Sequence, residues 1–131
     1  MVDLLRFRAW HKTWDELGQV RRIRFDDDGN VSTVLFKGKI LGTDVRKDEI
    51  ILMQSTGLHD KNGKEIFEKD ILDYNGRKVI VKWHGSYAGF IYEFVDELKN
   101  RTTEWQPLYL SYYKFEIIGN SLENPELLEV E

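Results

Sequence analysis

The sequence predicts a mainly β fold, with short antiparallel strands closing into a barrel or packed sheets and little helix. Three observations predict it. Apolar side chains recur at every second position in most apolar segments, which is the period of a strand with one buried face. Two turn sequences, Asp26-Asp27-Asp28-Gly29-Asn30 and Asn75-Gly76, each stand between two such segments, as hairpin turns do. Glycine-bearing turns recur at short intervals, and only two prolines, Pro107 and Pro125, interrupt the chain.

The elements follow in order. In the first segment Leu5, Phe7 and Ala9 fall on one face and Arg6 and Arg8 on the other. Arg21 to Phe25 repeats the pattern, with Ile23 and Phe25 expected inward and Arg22 and Arg24 outward. Across the Asp26–Asn30 turn, Val31 to Phe36 completes a β-hairpin. Ile40-Leu41 and Ile50 to Gln54 suggest further strands, while Thr43 to Asp48 reads equally as a loop or a helical turn. Thr56 to Gly63 is dense in turn formers and reads as a connector.

Asp70 to Tyr74 and Arg77 to Trp83 flank Asn75-Gly76, the strongest short-range hairpin signal in the chain. Gly85 and Gly89 bracket the next turn, before a strand from Phe90 to Phe94. Asp96 to Thr103 is charged and aperiodic and reads as a loop. Leu108 to Tyr113 and Lys114 to Ile118 read as the last strands. Asn124-Pro125, followed by Leu127 and Leu128, reads as a short helical turn with an apolar side.

With 131 residues the chain has the size of one domain or of two small ones. A break near residue 55 divides it into an N-terminal β unit over 1–54 and a second part over 55–131 that ends in the helical turn. Since a piece of about 50 residues buries little apolar surface alone, one shared core is expected.

Charged residues make up 32% with both signs interspersed, and the net charge of −4 argues against general affinity for polyanions. No cysteine is present, which excludes disulfides, thiolate metal sites and thiol chemistry. The N-terminal residues lack a secretory pattern, and no apolar run approaches the roughly 20 residues that span a bilayer. A soluble protein of the cytoplasm is expected, with no membrane partner.

No catalytic constellation emerges. His11, His59 and His84 have no ligand-like spacing, so no metal is expected. No Gly-x-Ser-x-Gly segment or phosphate-cradling glycine loop occurs. Asp26 to Asn30 lacks the alternating ligands and distal glutamate of a calcium loop. No enzyme activity and no cofactor are expected. Two binding surfaces remain. Arg6, Arg8, Arg22 and Arg24 with Trp10 offer a basic and aromatic face for single-stranded nucleic acid, the weaker alternative given the acidic whole. Trp105, Tyr109, Tyr112 and Tyr113 read equally as core filling or, where one small core cannot bury them all, as an interface with a protein partner or a second copy. No internal repeat is evident.

Several stretches resemble the YopX family, in the family's order. They are Arg6-Phe7-Arg8-Ala9-Trp10; Leu52 to Leu58 followed by Asp60 to Glu68 and Asp70-Ile71; and Phe115 to Asn120 with Glu123 to Leu128. The resemblance implies a β-rich fold with an SH3-like barrel and a phage or prophage origin within a bacterial host. It implies no established activity and no catalytic residues. The chain departs from the family at His11, where an acidic residue is common, and at Lys69, where glycine is frequent. If position 69 requires a positive φ, lysine there is strained.

Overall fold

Alternating side chains favour strands that bury one face, and eleven strands form among the described residues of the computed structural model, 6–39, 42–98 and 104–129. The chain divides into two units, residues 1–54 and 55–131. Leu5 and Ile40-Leu41 lie outside the described residues.

The first unit holds β1 (Phe7–His11), β2 (Glu16–Phe25), β3 (Val31–Lys37), β4 (Thr43–Arg46) and the first half of β5 (Ile50–His59). They pair antiparallel in the order β4-β3-β2-β1-β5. The segment that read as loop or helix is both β4 and a 3-10 turn, Lys47–Glu49. The core gathers Ala9, Val34, Phe36, Val45 and Ile50, with Val20, Ile23, Val31 and Leu52 packed on it. Register explains the set, because Ala9 lies opposite both Gly18 and Leu52, and Val34 opposite both Ile23 and Val45. Gly18 is required here. A Cβ on it would stand 2.5 Å from the Phe36 ring.

One expectation fails in β2. Phe25 is 62% exposed. The β2–β3 ladder slips twice, between Val20 and Arg22 and between Arg24 and Phe25. The first slip inserts Arg21 as an extra residue, which carries Ile23 to the core face and leaves Arg22 and Arg24 on the other. The second leaves Phe25 opposite Val31 at the hairpin tip, beyond the residues of β2 that β1 pairs. Asp26 closes that tip, its carboxylate accepting the N–H groups of Asp28 and Asn30 at 2.9 Å.

The second unit holds the rest of β5 with β6 (Glu65–Phe67), then β7 (Asp70–Tyr74), β8 (Arg77–His84), β9 (Gly89–Phe94), β10 (Trp105–Pro107) and β11 (Glu116–Asn120). The last five form a sheet ordered β10-β9-β8-β7-β11, and among the described residues its end strands do not pair to close a barrel. Ile66, Leu72, Val79, Val81, Tyr92, Leu108 and Phe115 form its core. The β7–β8 hairpin is as expected. Tyr74 pairs with Arg77 across a two-residue turn with φ of 51° at Asn75 and 90° at Gly76, the mirror-image turn that matches strand twist.

Two further expectations are corrected. The connector expected over Thr56–Gly63 is strand as far as His59, and only the remainder turns. Its short side chains do bond local backbone, but within a bulge. The Ser55 hydroxyl accepts the Gly57 N–H and the Thr56 hydroxyl the Leu58 N–H, each at 3.1 Å, while Gly57 takes a φ of 77°. The strand expected over Leu108–Tyr113 is two 3-10 turns, Leu108–Leu110 and Tyr112–Lys114. Leu108 and Phe115 are both buried, and between them the N–H groups of Ser111, Lys114 and Phe115 donate three residues back rather than to a neighbouring strand. The helical turn forms as expected over Pro125–Leu128.

Candidate functional site

The second unit carries an aromatic groove. Its construction starts at His84, which ends β8 and pairs with Gly89, the first residue of β9. The four residues between must reverse the chain, and Ala88 takes a left-handed φ of 60° to do so. The His84 imidazole fixes the turn, since its Nδ1 accepts the Tyr87 N–H at 3.0 Å. Tyr87 then leans on the Trp105 ring, with 5.0 Å between centroids, and Trp105 meets His84 at 4.6 Å. Trp83 and Phe90, opposite each other in the ladder, form an edge-to-face pair at 5.1 Å.

Against this frame the 3-10 turn after Pro107 brings up Tyr109, which is 56% exposed. Its phenol shares a hydrogen bond with that of Tyr87, which pushes the Tyr87 hydroxyl above the ordinary tyrosine value of 10.0. Thr56, Leu58, Tyr87, Ala88, Gly89, Phe90 and Tyr109 enclose a groove of about 440 Å³. No carboxylate, imidazole or amine lines it. Its chemistry is that of flat rings, small side chains and hydroxyls, suited to an apolar ligand with a few hydrogen-bonding groups.

The structure gathers part of each sequence-predicted set. Tyr109 lines this groove, and Trp105 packs against Tyr87, one of its other lining residues. Tyr112 packs on the core and Tyr113 stands beside it in an edge-to-face pair at 5.6 Å, with the Lys114 ammonium 5.7 Å from the Tyr113 ring. Among the arginines, register and the β2 bulge place Arg8, Arg22 and Arg24 with Trp10 on the sheet face opposite Ala9. Arg6 is exposed, while Arg8 and Trp10 are half-buried. Arg22 pairs with Asp44 at 3.3 Å. Among the described residues no group of three or more His, Asp or Glu side chains is placed to hold a metal ion, and no helix is long and apolar enough to cross a membrane.

Sequence reasoning missed Tyr87 and the role of His84. The available signal was a histidine ending a strand with an aromatic residue three positions on. It missed Asp60 as well, a buried side chain whose carboxylate accepts the N–H groups of Asn62, Lys64 and Ile117, each at 2.9 Å. The first two bonds are local. The third ties the turn to β11 and depends on tertiary contact that no local pattern reports. Asp70 is tied in a similar way, its carboxylate accepting the Phe67 N–H at 2.8 Å where β7 begins.

The sequence profile of the family described as YopX protein matches residues 6–129. The crystal structure of protein EF1440 from Enterococcus faecalis is similar at 30% identity, with a TM-score of 0.67, over 95% of this chain and 97% of that one. No curated protein matches the chain.

Proposed function

The chain belongs to the YopX family, and on that footing we propose that it is a non-catalytic protein-interaction module, encoded by a phage or prophage and acting in the cytoplasm of the bacterial host. The observation behind the interaction reading is the groove, where Tyr109 and Tyr87 expose 56% and 38% of their surface beside Phe90. Aromatic surface held in water is costly unless a partner covers it, and tyrosine and tryptophan dominate binding hot spots. An SH3-like curl of the β10-β9-β8-β7-β11 sheet would suit this use, since small curled sheets offer grooves beside their hairpin tips.

The test uses peptides selected from a random display library on the intact protein. Tyr109→Ala or Phe90→Ala is expected to weaken their binding by about tenfold or more, the scale of a hot-spot truncation, while Phe25→Ala in the first unit leaves it unchanged. Selected peptides indifferent to both groove substitutions would remove this reading. Binding of single-stranded nucleic acid along Arg6, Arg8, Arg22, Arg24 and Trp10 is the second reading. It is weaker because Asp44 already engages Arg22. Salt-sensitive, saturable binding of a labelled oligonucleotide, lost in Arg22→Ala and Arg24→Ala, would reverse that ranking.

A further inference from the structure

Three turns of the chain place an aspartate or asparagine directly before glycine: Asp28-Gly29, Asn62-Gly63 and Asn75-Gly76. In an Asn-Gly pair the glycine amide nitrogen can reach the side-chain carbonyl carbon of the asparagine, since glycine has no Cβ to hinder the approach. The asparagine can then lose ammonia. Whether it does so in the folded protein depends on what else holds that nitrogen.

The first two turns are built alike. The glycine N–H donates three residues back, from Gly29 to the Asp26 carbonyl at 3.0 Å and from Gly63 to the Asp60 carbonyl at 2.9 Å. An aspartate carboxylate caps each turn as well. Asp26 accepts the N–H groups of Asp28 and Asn30, and Asp60 those of Asn62 and Lys64, all at 2.9 Å. The nitrogen that would attack is therefore engaged, and the residue it would attack is held by its own N–H.

The third turn lacks both restraints. Tyr74 pairs with Arg77 across it, and Asn75 and Gly76 between them take φ of 51° and 90°. A turn of this kind is closed by its flanking residues and asks nothing of the Gly76 N–H. Among the described residues that N–H donates to no carbonyl, and the Asn75 side chain makes no hydrogen bond. Asn62 and Asn75 are both exposed, and a Cβ on Gly63 or Gly76 would meet nothing within 4 Å. Solvent access and crowding are thus alike at the two Asn-Gly pairs. The bond to the glycine nitrogen separates them.

We propose that Asn75 is a self-modification site, where the folded chain deamidates without an enzyme, while the Asp60-capped turn protects Asn62. The Gly76 nitrogen, its proton taken by hydroxide, bonds to the side-chain carbonyl carbon of Asn75. The bond from that carbon to the amide nitrogen breaks, and ammonia leaves with a proton from water. Water then opens the resulting five-membered imide at either carbonyl, which leaves a carboxylate at position 75 in an aspartate or an isoaspartate link. Asparagine and water become aspartate or isoaspartate and ammonia, with no change of oxidation state. The new charge lies next to Arg77. The isoaspartate form also adds a carbon to the backbone of a two-residue turn whose length sets the β7–β8 register. None of this depends on the groove reading.

The experiment incubates the intact protein at mildly alkaline pH and maps its peptides by mass spectrometry at intervals, deamidation appearing as a gain of about 1 Da. In the folded protein Asn75 is expected to convert on the order of tenfold faster than Asn62, the rate equivalent of one hydrogen bond that must break first. In denaturing urea, where neither turn survives, the two rates should converge. Asn75→Gln should abolish the fast conversion, because the longer side chain closes only a larger ring. Equal rates in the folded protein, or Asn62 converting ahead of Asn75, would overturn the inference. So would a preference for Asn75 that persists unchanged in urea, since the cause would then be neighbouring sequence rather than the turn.

Discussion

Lys69 stands in the left-handed region with φ of 70°, and its backbone is tied on both sides. Its N–H donates to the Val81 carbonyl at 2.9 Å, and its own carbonyl accepts the Ser121 N–H at 3.0 Å. The side chain thus sits in a conformation that costs an L-residue about 1–2 kcal/mol. Lys69→Gly is therefore expected to stabilise the protein, by roughly 0.5–1 kcal/mol after the added freedom of the unfolded chain is subtracted. Urea unfolding with an unchanged m-value checks it. Asp60 makes the opposite case. Burial raises its carboxyl pKa, but three backbone N–H bonds and the charge of Lys64 outweigh burial and hold it below the ordinary 3.8. A carboxyl lowered on folding contributes stability that is complete above its unfolded value and lost as pH falls through the folded one. Asp60→Asn is expected to cost about 1–3 kcal/mol near neutrality, because its amide leaves a buried N–H without an acceptor. The gap to the wild type should narrow below about pH 4 in urea midpoints measured across pH. The strain at position 69 could be read from the family pattern, where glycine is frequent. The third bond to Asp60 could not, because Ile117 is distant in sequence.

At the scale of elements, local chemistry decides what can be read. Asn75-Gly76 dictates its own turn, so β7 and β8 follow from the sequence. Leu108–Tyr113 alternates like a strand, yet Leu108 and Phe115 are both drawn into the core and the segment between them winds into 3-10 turns. The bulge in β2 was also hidden, for Arg21 to Phe25 alternates without a break and only pairing with β3 reveals the extra residue. Tertiary register overrode the period. The same register makes Gly18 exacting, since the Phe36 ring crosses directly over it. Gly18→Ala is expected to cost about 1–3 kcal/mol through overpacking, read as a lowered urea midpoint. Gly29→Ala meets no neighbouring atom and pays only for its φ of 84°, so it should cost less. The groove was half legible. Tyr109 stood out by composition, while Tyr87 needed the turn that His84 makes.

Across the whole molecule, the mainly β class was legible because alternation in β1 and β3 and strong turn sequences mark the strands, although β7, β8 and β9 bury consecutive residues, and the family was legible because its segments keep their order. Charge is balanced locally. Arg22 pairs with Asp44, Arg77 with Asp96 at 2.9 Å and Lys82 with Glu93 at 3.3 Å. Exposed pairs of this kind add little stability each. β5 bears on the molecule as a whole. It is one strand whose first half, Ile50–Gln54, pairs with β1, and whose second half, through Ser55 and His59, pairs with β6. Limited proteolysis is therefore expected to cut at turns such as Asp26–Asn30 or Lys61–Lys64 and to spare residues 50–59, as mass spectrometry of the fragments would show. Within each half of β5 the ladder fixes which face a residue takes. A gene exchange that swapped one half for a relative's would have to cross over in phase. A slip of one codon there would turn every later side chain of the strand to the wrong face.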